Sequence, residues 1–93
     1  MKFKYNFLEN RLWKLAGEYS SQISENNQFH TPQGFYGTNG FHLGEKEWIT
    51  FTFDHTSLKV CYQQGTNSYQ KILDLPEPNN GEIIFELTEQ DLI

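Results

Sequence analysis

The sequence predicts an α+β fold in which an N-terminal amphipathic helix packs on an antiparallel β-meander of four to six strands. Two observations support this fold class. Near the start of the chain, apolar residues recur at three- and four-residue steps, as on one face of a helix. Further along, several segments alternate between apolar and polar residues, with short turn sequences between them. A length of 93 residues predicts a single domain that spans residues 1–93.

The first elements are a short strand over residues 1–7 and the helix that follows it. Three aromatic residues share one face of this strand, namely Phe3, Tyr5 and Phe7. Asn6 and Glu9 then have the spacing of a capping box, which places the start of a helix here. We predict the helix over residues 7–24. Its apolar face consists of Leu8, Leu12, Leu15, Ala16, Tyr19 and Ile23.

Gly17 leaves the end of this helix open. A glycine inside a helix costs about 1 kcal/mol relative to alanine, whereas a glycine just beyond the last turn commonly ends a helix. In the first case the helix continues to residue 24. In the second case residues 18–23 form a strand, and the fold becomes a small, mostly-β barrel.

The middle of the chain predicts a hairpin. Residues 26–45 contain four of the seven glycines, and Asn39-Gly40 is the residue pair typical of a type I′ turn. Short, irregular strands are therefore expected on either side of that pair.

The rest of the chain predicts the meander. The expected strands are residues 47–53, 58–64, 68–75 and 82–87. The first two strands alternate most regularly, and each has one apolar face. These faces consist of Ile49, Phe51 and Phe53 in one strand and Leu58, Val60 and Tyr62 in the other. Turns are expected over residues 54–57, 65–67 and 76–81, where glycine, proline and small polar residues gather.

Composition favours a cytoplasmic protein without a disulfide framework. Cys61 is the only cysteine, so no disulfide can form within the chain. The first residues lack the apolar segment of a signal peptide, and no apolar run is long enough to span a membrane.

The residues that carry chemistry do not form a familiar catalytic or metal-binding pattern. The candidate metal ligands are His30, His42, His55 and Cys61, and their spacing matches no zinc motif. Asp54 and His55 are adjacent, so in extended backbone they point to opposite sides and make a poor catalytic pair. We therefore expect no enzyme, no metal and no cofactor.

Charge and aromatic content favour binding over chemistry. The formal net charge is −5, yet residues 1–14 hold four bases against one acid, and residues 74–93 hold six acids and no base. Such asymmetry is typical of an interaction surface. Aromatic residues make up 16% of the chain, and rigid aromatic side chains on loops are effective anchors for a protein partner.

We therefore expect a non-catalytic protein-binding module that inhibits or regulates another protein, in the manner of an immunity or anti-defence protein. The expected partner-binding residues are Phe35, Tyr36, Phe41, Trp48, Glu82, Glu86, Glu89 and Asp91. The acids favour a basic or nucleic-acid-binding protein as partner, and a thin core favours a homodimer. With only seven basic residues, direct binding of nucleic acid is disfavoured. The alternative is a small-molecule-binding domain that uses an aromatic-lined sheet face or a barrel interior.

Overall fold

The computed structural model describes residues 1–16, 19–23, 36–54, 57–74 and 81–93. Within these ranges the chain forms eight β-strands and one 3₁₀ turn at Glu89–Asp91. The strands are β1 (Lys2–Asn6), β2 (Arg11–Ala16), β3 (Tyr19–Ile23), β4 (Tyr36–Gly44), β5 (Glu47–Asp54), β6 (Ser57–Gln64), β7 (Asn67–Asp74) and β8 (Glu82–Glu86). No helix in the described ranges has the length and apolarity needed to cross a membrane.

The strands form two four-stranded antiparallel sheets. Sheet A has the order β3-β2-β1-β8, and sheet B has the order β4-β5-β6-β7. The inward side chains of both sheets belong to one hydrophobic core, so the sheets form a β-sandwich. The buried apolar residues are Phe3, Tyr5, Phe7, Leu12, Phe41, Ile49, Phe51, Phe53, Leu58, Val60, Tyr62, Ile83, Phe85 and Leu87.

Aromatic rings join the two sheets at the centre of the core. Tyr5 of β1 stacks on Phe51 of β5, with ring centroids 3.9 Å apart and planes inclined by 9°. Phe51 also meets Phe85 of β8 edge to face, at a centroid distance of 5.9 Å. Each such pair contributes about 0.5–1.5 kcal/mol to stability, in addition to the contribution from the apolar area that it buries. Because each pair takes one ring from each sheet, the rings fix how the sheets face one another.

A buried chain of hydrogen bonds crosses the same core. The Tyr5 hydroxyl donates to Asn10 Oδ1 at 3.4 Å and accepts from Asn39 Nδ2 at 3.2 Å. A buried hydroxyl left without partners would cost about 1–3 kcal/mol. The chain of bonds therefore allows these polar groups to lie inside, and it ties β1 of sheet A to β4 of sheet B.

The predicted helix over residues 7–24 is wrong. Arg11–Ala16 and Tyr19–Ile23 are instead the paired strands β2 and β3. The described residues thus form a nearly all-β fold and not the α+β fold expected from the sequence. Gly17 lies outside the described residues. The alternative strand over residues 18–23 corresponds to β3, but the two described sheets do not close into the barrel expected with it.

The capping contacts predicted at Asn6 are present, but they close a turn and start no helix. Asn6 Oδ1 accepts hydrogen bonds from the backbone amides of Leu8 and Glu9, and Asn6 Nδ2 donates to Glu9. The backbone then leaves the helical region at Asn10, whose φ is 56°. Asparagine tolerates this left-handed conformation better than most residues. A tight turn therefore joins β1 to β2.

The helix-like spacing arises because β2 carries apolar residues on both sides. Leu12 lies opposite Tyr5 and is fully buried, whereas Trp13 and Leu15 lie on the other side of the strand and are half-buried. Two apolar sides produce steps of three and four residues that imitate one face of a helix. Pairing with β1 decides the outcome, since tertiary packing overrides local propensity.

The predicted hairpin turn at Asn39-Gly40 is also wrong. β4 runs through both residues, and both pair with β5. The chain reverses at residues 45–46 instead. Asn39 remains within the strand because its side chain is fully buried and bonded to Tyr5.

The four strands predicted for the meander are present, but the last of them, β8, pairs with β1 in sheet A and does not continue the meander of sheet B. β5 and β6 turn inward the six residues expected from their alternation, and β7 and β8 lie within a residue of the predicted bounds. The turn at Gly65 is confirmed as well, with a φ of 61°. The turns predicted over residues 54–57 and 76–81 fall mainly on residues outside the described ranges.

Candidate functional site

Two outer surfaces are the candidate sites, because a strand sends every second side chain away from the core. On sheet B, the outward residues form rows across four strands, and we call them the sheet B face. The rows are His42, Trp48, Gln63 and Ser68, then Gly40, Thr50, Cys61 and Gln70, then Thr38, Thr52, Lys59 and Ile72, and last Asp54, Ser57 and Asp74.

One half of the sheet B face is uncharged. Its first two rows contain no acid and no lysine or arginine, whereas Lys59 lies in the third row and Asp54 and Asp74 lie in the fourth. Trp48 is 42% exposed and Ile72 is 63% exposed. The hydroxyls of Thr38 and Thr52 lie 3.2 Å apart and form a hydrogen bond across β4 and β5. A neutral surface around an exposed tryptophan has the composition of an interface core.

The outer surface of sheet A has a different composition, and we call it the sheet A face. Its rows across β8, β1 and β2 are Glu86, Lys2 and Leu15, then Ile84, Lys4 and Trp13, then Glu82, Asn6 and Arg11. The acids lie on the edge strand β8, whereas the bases lie on β1 and β2. Charge is therefore separated by strand on this face.

The middle row of the sheet A face contains a cation–π contact. Lys4 Nζ lies 4.4 Å from the centre of the Trp13 ring, well within the range of this interaction. Ile84, on the other side of Lys4, is 60% exposed. Neither Lys4 nor Trp13 is among the predicted binding residues, because the helix prediction concealed which residues share the outer face. Alternation over residues 11–15 is the signal that identifies Trp13 as outward.

The acidic residues expected to face a partner divide into two groups. Glu82 and Glu86 lie on the sheet A face. Glu89 is exposed in the 3₁₀ turn that follows β8. Asp91 has a role in the fold, because its Oδ2 accepts a hydrogen bond from the Thr88 amide at 2.8 Å and caps this turn.

Two of the aromatic residues expected as anchors have described side chains, Trp48 and Phe41, and these do not share a surface. Trp48 lies on the sheet B face, on the opposite side of the sandwich from the acids of β8. Phe41 is 1% exposed and packs edge to face against Tyr5 in the core. Phe35 lies outside the described residues, and for Tyr36 only the backbone, at the start of β4, is described.

A polar cluster that the sequence does not reveal bridges the two sheets. Lys14 Nζ of β2 lies 3.2 Å from Glu47 Oε2 of β5. The Tyr62 hydroxyl of β6 donates a hydrogen bond to the same carboxylate oxygen. Because these residues come from β2, β5 and β6, only the assembled sandwich brings them together.

The electrostatics of this cluster stabilise a charged Glu47 and a neutral Tyr62. Burial raises the pKa of Glu47, but the hydrogen bonds from Tyr62 and Lys14 outweigh burial and leave that pKa below its ordinary value. Burial and the neighbouring carboxylate both raise the pKa of the Tyr62 hydroxyl. Glu47 therefore stays charged and paired with Lys14, and Tyr62 stays protonated and able to donate its hydrogen bond. The ion pair connects the two sheets.

Of the residues considered as metal ligands, the two that the structure describes, His42 and Cys61, lie on the separate strands β4 and β6. Within the described ranges, no three histidine, cysteine, aspartate or glutamate side chains lie together in a way that could hold a metal ion. His42 is exposed at one end of the sheet B face, and Cys61 is half-buried within that face. His30 and His55 lie outside the described residues. No protein family, curated protein or solved structure matches this chain.

Proposed function

We propose that this chain is a non-catalytic protein-binding module that inhibits or regulates another protein, and that it binds this protein through the sheet B face. The observation that carries the proposal is the uncharged half of that face, which includes Trp48, a residue that is 42% exposed. Cores of protein interfaces are depleted in charge and enriched in aromatic residues, and tryptophan is prominent among interface hot spots.

The size of the sheet B face favours a complex that forms and dissociates readily. Four strands about 4.8 Å apart, with eight or nine residues each at about 3.3 Å per residue, present roughly 500 Å². Two such surfaces bury about 1,000 Å² together, which is at the low end of specific interfaces. This size suits a regulator that must release its target.

The chemistry of the face specifies the kind of partner. A matching surface has an apolar pocket for Trp48 and neutral hydrogen-bonding groups opposite the threonine and glutamine side chains of β5 and β6. The expectation of a basic partner depends on the acids of β8, which lie on the other face, and it remains a separate prediction. A cytoplasmic location belongs to the proposal, since one cysteine provides no disulfide within the chain.

The two tryptophans provide a matched test, because they lie on opposite faces. Wild type, Trp48→Ala and Trp13→Ala are immobilised, and the proteins that each retains from a lysate of the producing cells are quantified. Any protein lost with Trp48→Ala alone is then purified, and its affinity for all three forms is measured by calorimetry. A hot-spot tryptophan predicts that Trp48→Ala weakens binding by about 30-fold or more, while Trp13→Ala leaves affinity unchanged.

The contrary result is equally clear. If every protein retained by the wild type binds Trp48→Ala as tightly as it binds Trp13→Ala, the sheet B face is not the binding surface. Circular dichroism of both variants checks that the sandwich is intact.

The small-molecule alternative lacks comparable support among the described residues. The inner aromatic side chains contact one another, as in the Tyr5–Phe51 stack and the Phe3–Phe85 stack at 5.5 Å. Native mass spectrometry of the freshly purified protein tests the alternative directly, since a retained ligand adds its mass to that of the chain.

A further inference from the structure

The sheet A face separates its charges by strand in a way that makes it complementary to itself. Glu82 and Glu86 lie on β8, and Lys2 and Lys4 lie on the neighbouring strand β1. The β1–β8 register places Lys2 directly opposite Glu86. A basic strand therefore lies beside an acidic strand about 4.8 Å away.

Lys2 and Glu86 carry opposite charges on this face and form no ion pair in the described part of the chain. Both residues are exposed. Ile84, in the next row, is 60% exposed. An exposed isoleucine between exposed opposite charges is a pattern that a second surface can cover with both apolar and charged contacts.

We infer that this face binds a second copy of the chain, in a two-fold symmetric, face-to-face homodimer. The two-fold axis runs parallel to the strands, between β1 and β8. This axis brings β8 of each copy over β1 of the other, so that Lys2 of each copy faces Glu86 of its mate. The interface is isologous, as in most homodimers.

The order of the acidic and basic strands favours this direction of the two-fold axis, and it favours a second copy of the chain as the partner. A two-fold axis that lies between the two faces and runs perpendicular to the strands would bring β8 over β8. This arrangement places acids opposite acids and is destabilising. Another protein would have to present basic and acidic rows at strand spacing in the reverse order. A second copy turned about the parallel axis presents that order without further conditions.

The middle row fits the same arrangement. Lys4 leans over the ring of Trp13, towards β2 and away from the axis, which keeps the two copies of this lysine apart. Ile84 of each copy then lies over β1 of its mate, beside the aliphatic part of Lys4. β8 is the edge strand of sheet A, so the two copies overlap only at β1 and β8. We therefore expect a weak dimer that dissociates further as salt is added.

Charge reversal on each side of the proposed contact provides the test. Lys2→Glu alone makes both residues of the contact acidic, and Glu86→Lys alone makes both basic, so each variant is expected to be monomeric where the wild type is dimeric. An equimolar mixture of the two variants restores both contacts, because each copy then meets the opposite charge. The mixture is expected to form a heterodimer that sedimentation and native mass spectrometry detect.

Three results would overturn the inference. They are a wild type that remains monomeric at millimolar concentration, single variants that dimerise like the wild type, and a mixture that remains monomeric. Both residues are exposed, and circular dichroism verifies that each variant is folded. The experiment uses this chain alone and leaves Trp48 unchanged, so its failure would not affect the proposed binding through the sheet B face. Failure of that proposal would likewise leave the dimer standing.

Discussion

The two outer faces of the sandwich follow the same alternation and have different chemistry. The sheet B face has an uncharged half that contains Trp48, whereas the sheet A face separates Glu82 and Glu86 on β8 from Lys2 and Lys4 on β1. Both faces cover the same aromatic core. The difference teaches that inward residues specify how the sheets pack, while outward residues are free to specify different partners.

The largest loss of stability is expected from a substitution in the aromatic core that lies beneath both faces. Phe51 is fully buried and contacts rings of both β1 and β8. Phe51→Ala should therefore cost about 3–5 kcal/mol of unfolding free energy and impair both faces together. Thr50→Ala, one position along the same strand and outward, is the matched control and should stay within about 0.5 kcal/mol of wild type. Urea denaturation measures both, and equal losses would contradict the assignment of inward and outward sides.

The next largest loss of stability is expected from alanine at a glycine beside sheet A, and a smaller loss from alanine at a glycine in a turn of sheet B. Gly81 and Gly65 have φ values of 77° and 61°, so alanine is strained at both. At Gly81 a Cβ would also lie 2.7 Å from Leu8 Cγ and 2.8 Å from Asn6 Oδ1, whereas at Gly65 nothing lies within 4 Å. Gly65→Ala should lower the free energy of unfolding by about 1–2 kcal/mol. Gly81→Ala should lower it by about 1–3 kcal/mol more, because the added Cβ also clashes with its neighbours.

Because Gly81 precedes β8, Gly81→Ala should also disturb the acidic edge of the sheet A face. Hydrogen exchange of β8 and β6 amides in the two variants locates the damage. Equal destabilisation by both substitutions would mean that Gly81 does not pack against the β1–β2 turn.

A smaller effect is expected at the polar cluster that ties the sheets together. Tyr62→Phe removes the hydroxyl that donates to Glu47, and the loss of a hydrogen bond to a charged group should cost about 1.5–3 kcal/mol. Chemical denaturation near neutral pH measures this loss. A variant as stable as the wild type would show that the hydroxyl contributes nothing to the link between sheets.

The same cluster predicts how stability depends on pH. The pKa of Glu47 is lower in the folded chain than its ordinary value of 4.5, so its contribution is complete above that value and is lost as pH falls through the folded pKa. Wild type should therefore lose stability in acid more steeply than Glu47→Gln does. At the alkaline end, the raised pKa of Tyr62 means that its contribution is complete below its ordinary pKa of 10.0 and declines as pH rises further. Parallel slopes for wild type and Glu47→Gln below the ordinary pKa of Glu47 would contradict this account.

Sequence patterns predict sheet B better than sheet A, for a physical reason. β5 and β6 place apolar residues on one side only, so their two-residue period is unambiguous and matches the buried side of each strand. In β2, by contrast, Leu12 is buried while Trp13 and Leu15 are outward and half-buried. Local spacing alone cannot distinguish such a strand from a helix, and only pairing with β1 resolves it.

Polar residues in unusual places account for the other errors. Asn39-Gly40 has turn chemistry, yet Asn39 lies within a strand because Tyr5 of the other sheet provides its buried hydrogen-bond partner. The Glu47 cluster was likewise beyond prediction, since Lys14 and Tyr62 approach it only through tertiary packing. Of the residues that the sequence predicts to bind a partner, Trp48, Glu82 and Glu86 lie on outward sides of strands, but only the fold shows that they belong to two different faces.

The central claim is that the two faces bind independently, and tryptophan fluorescence tests it most directly. The chain has two tryptophans, one on each face, so Trp48→Phe leaves Trp13 as the sole reporter of the sheet A face. Trp13→Phe leaves Trp48 to report on the sheet B face. Emission and acrylamide quenching are followed for each variant as the protein is diluted from millimolar to nanomolar concentration.

The account predicts that dilution changes the emission and raises the quenching of Trp13, because the second copy leaves the sheet A face. Trp48 should give the same signal throughout. A response from Trp48 alone, from both tryptophans or from neither would contradict the assignment of separate partners to the two faces.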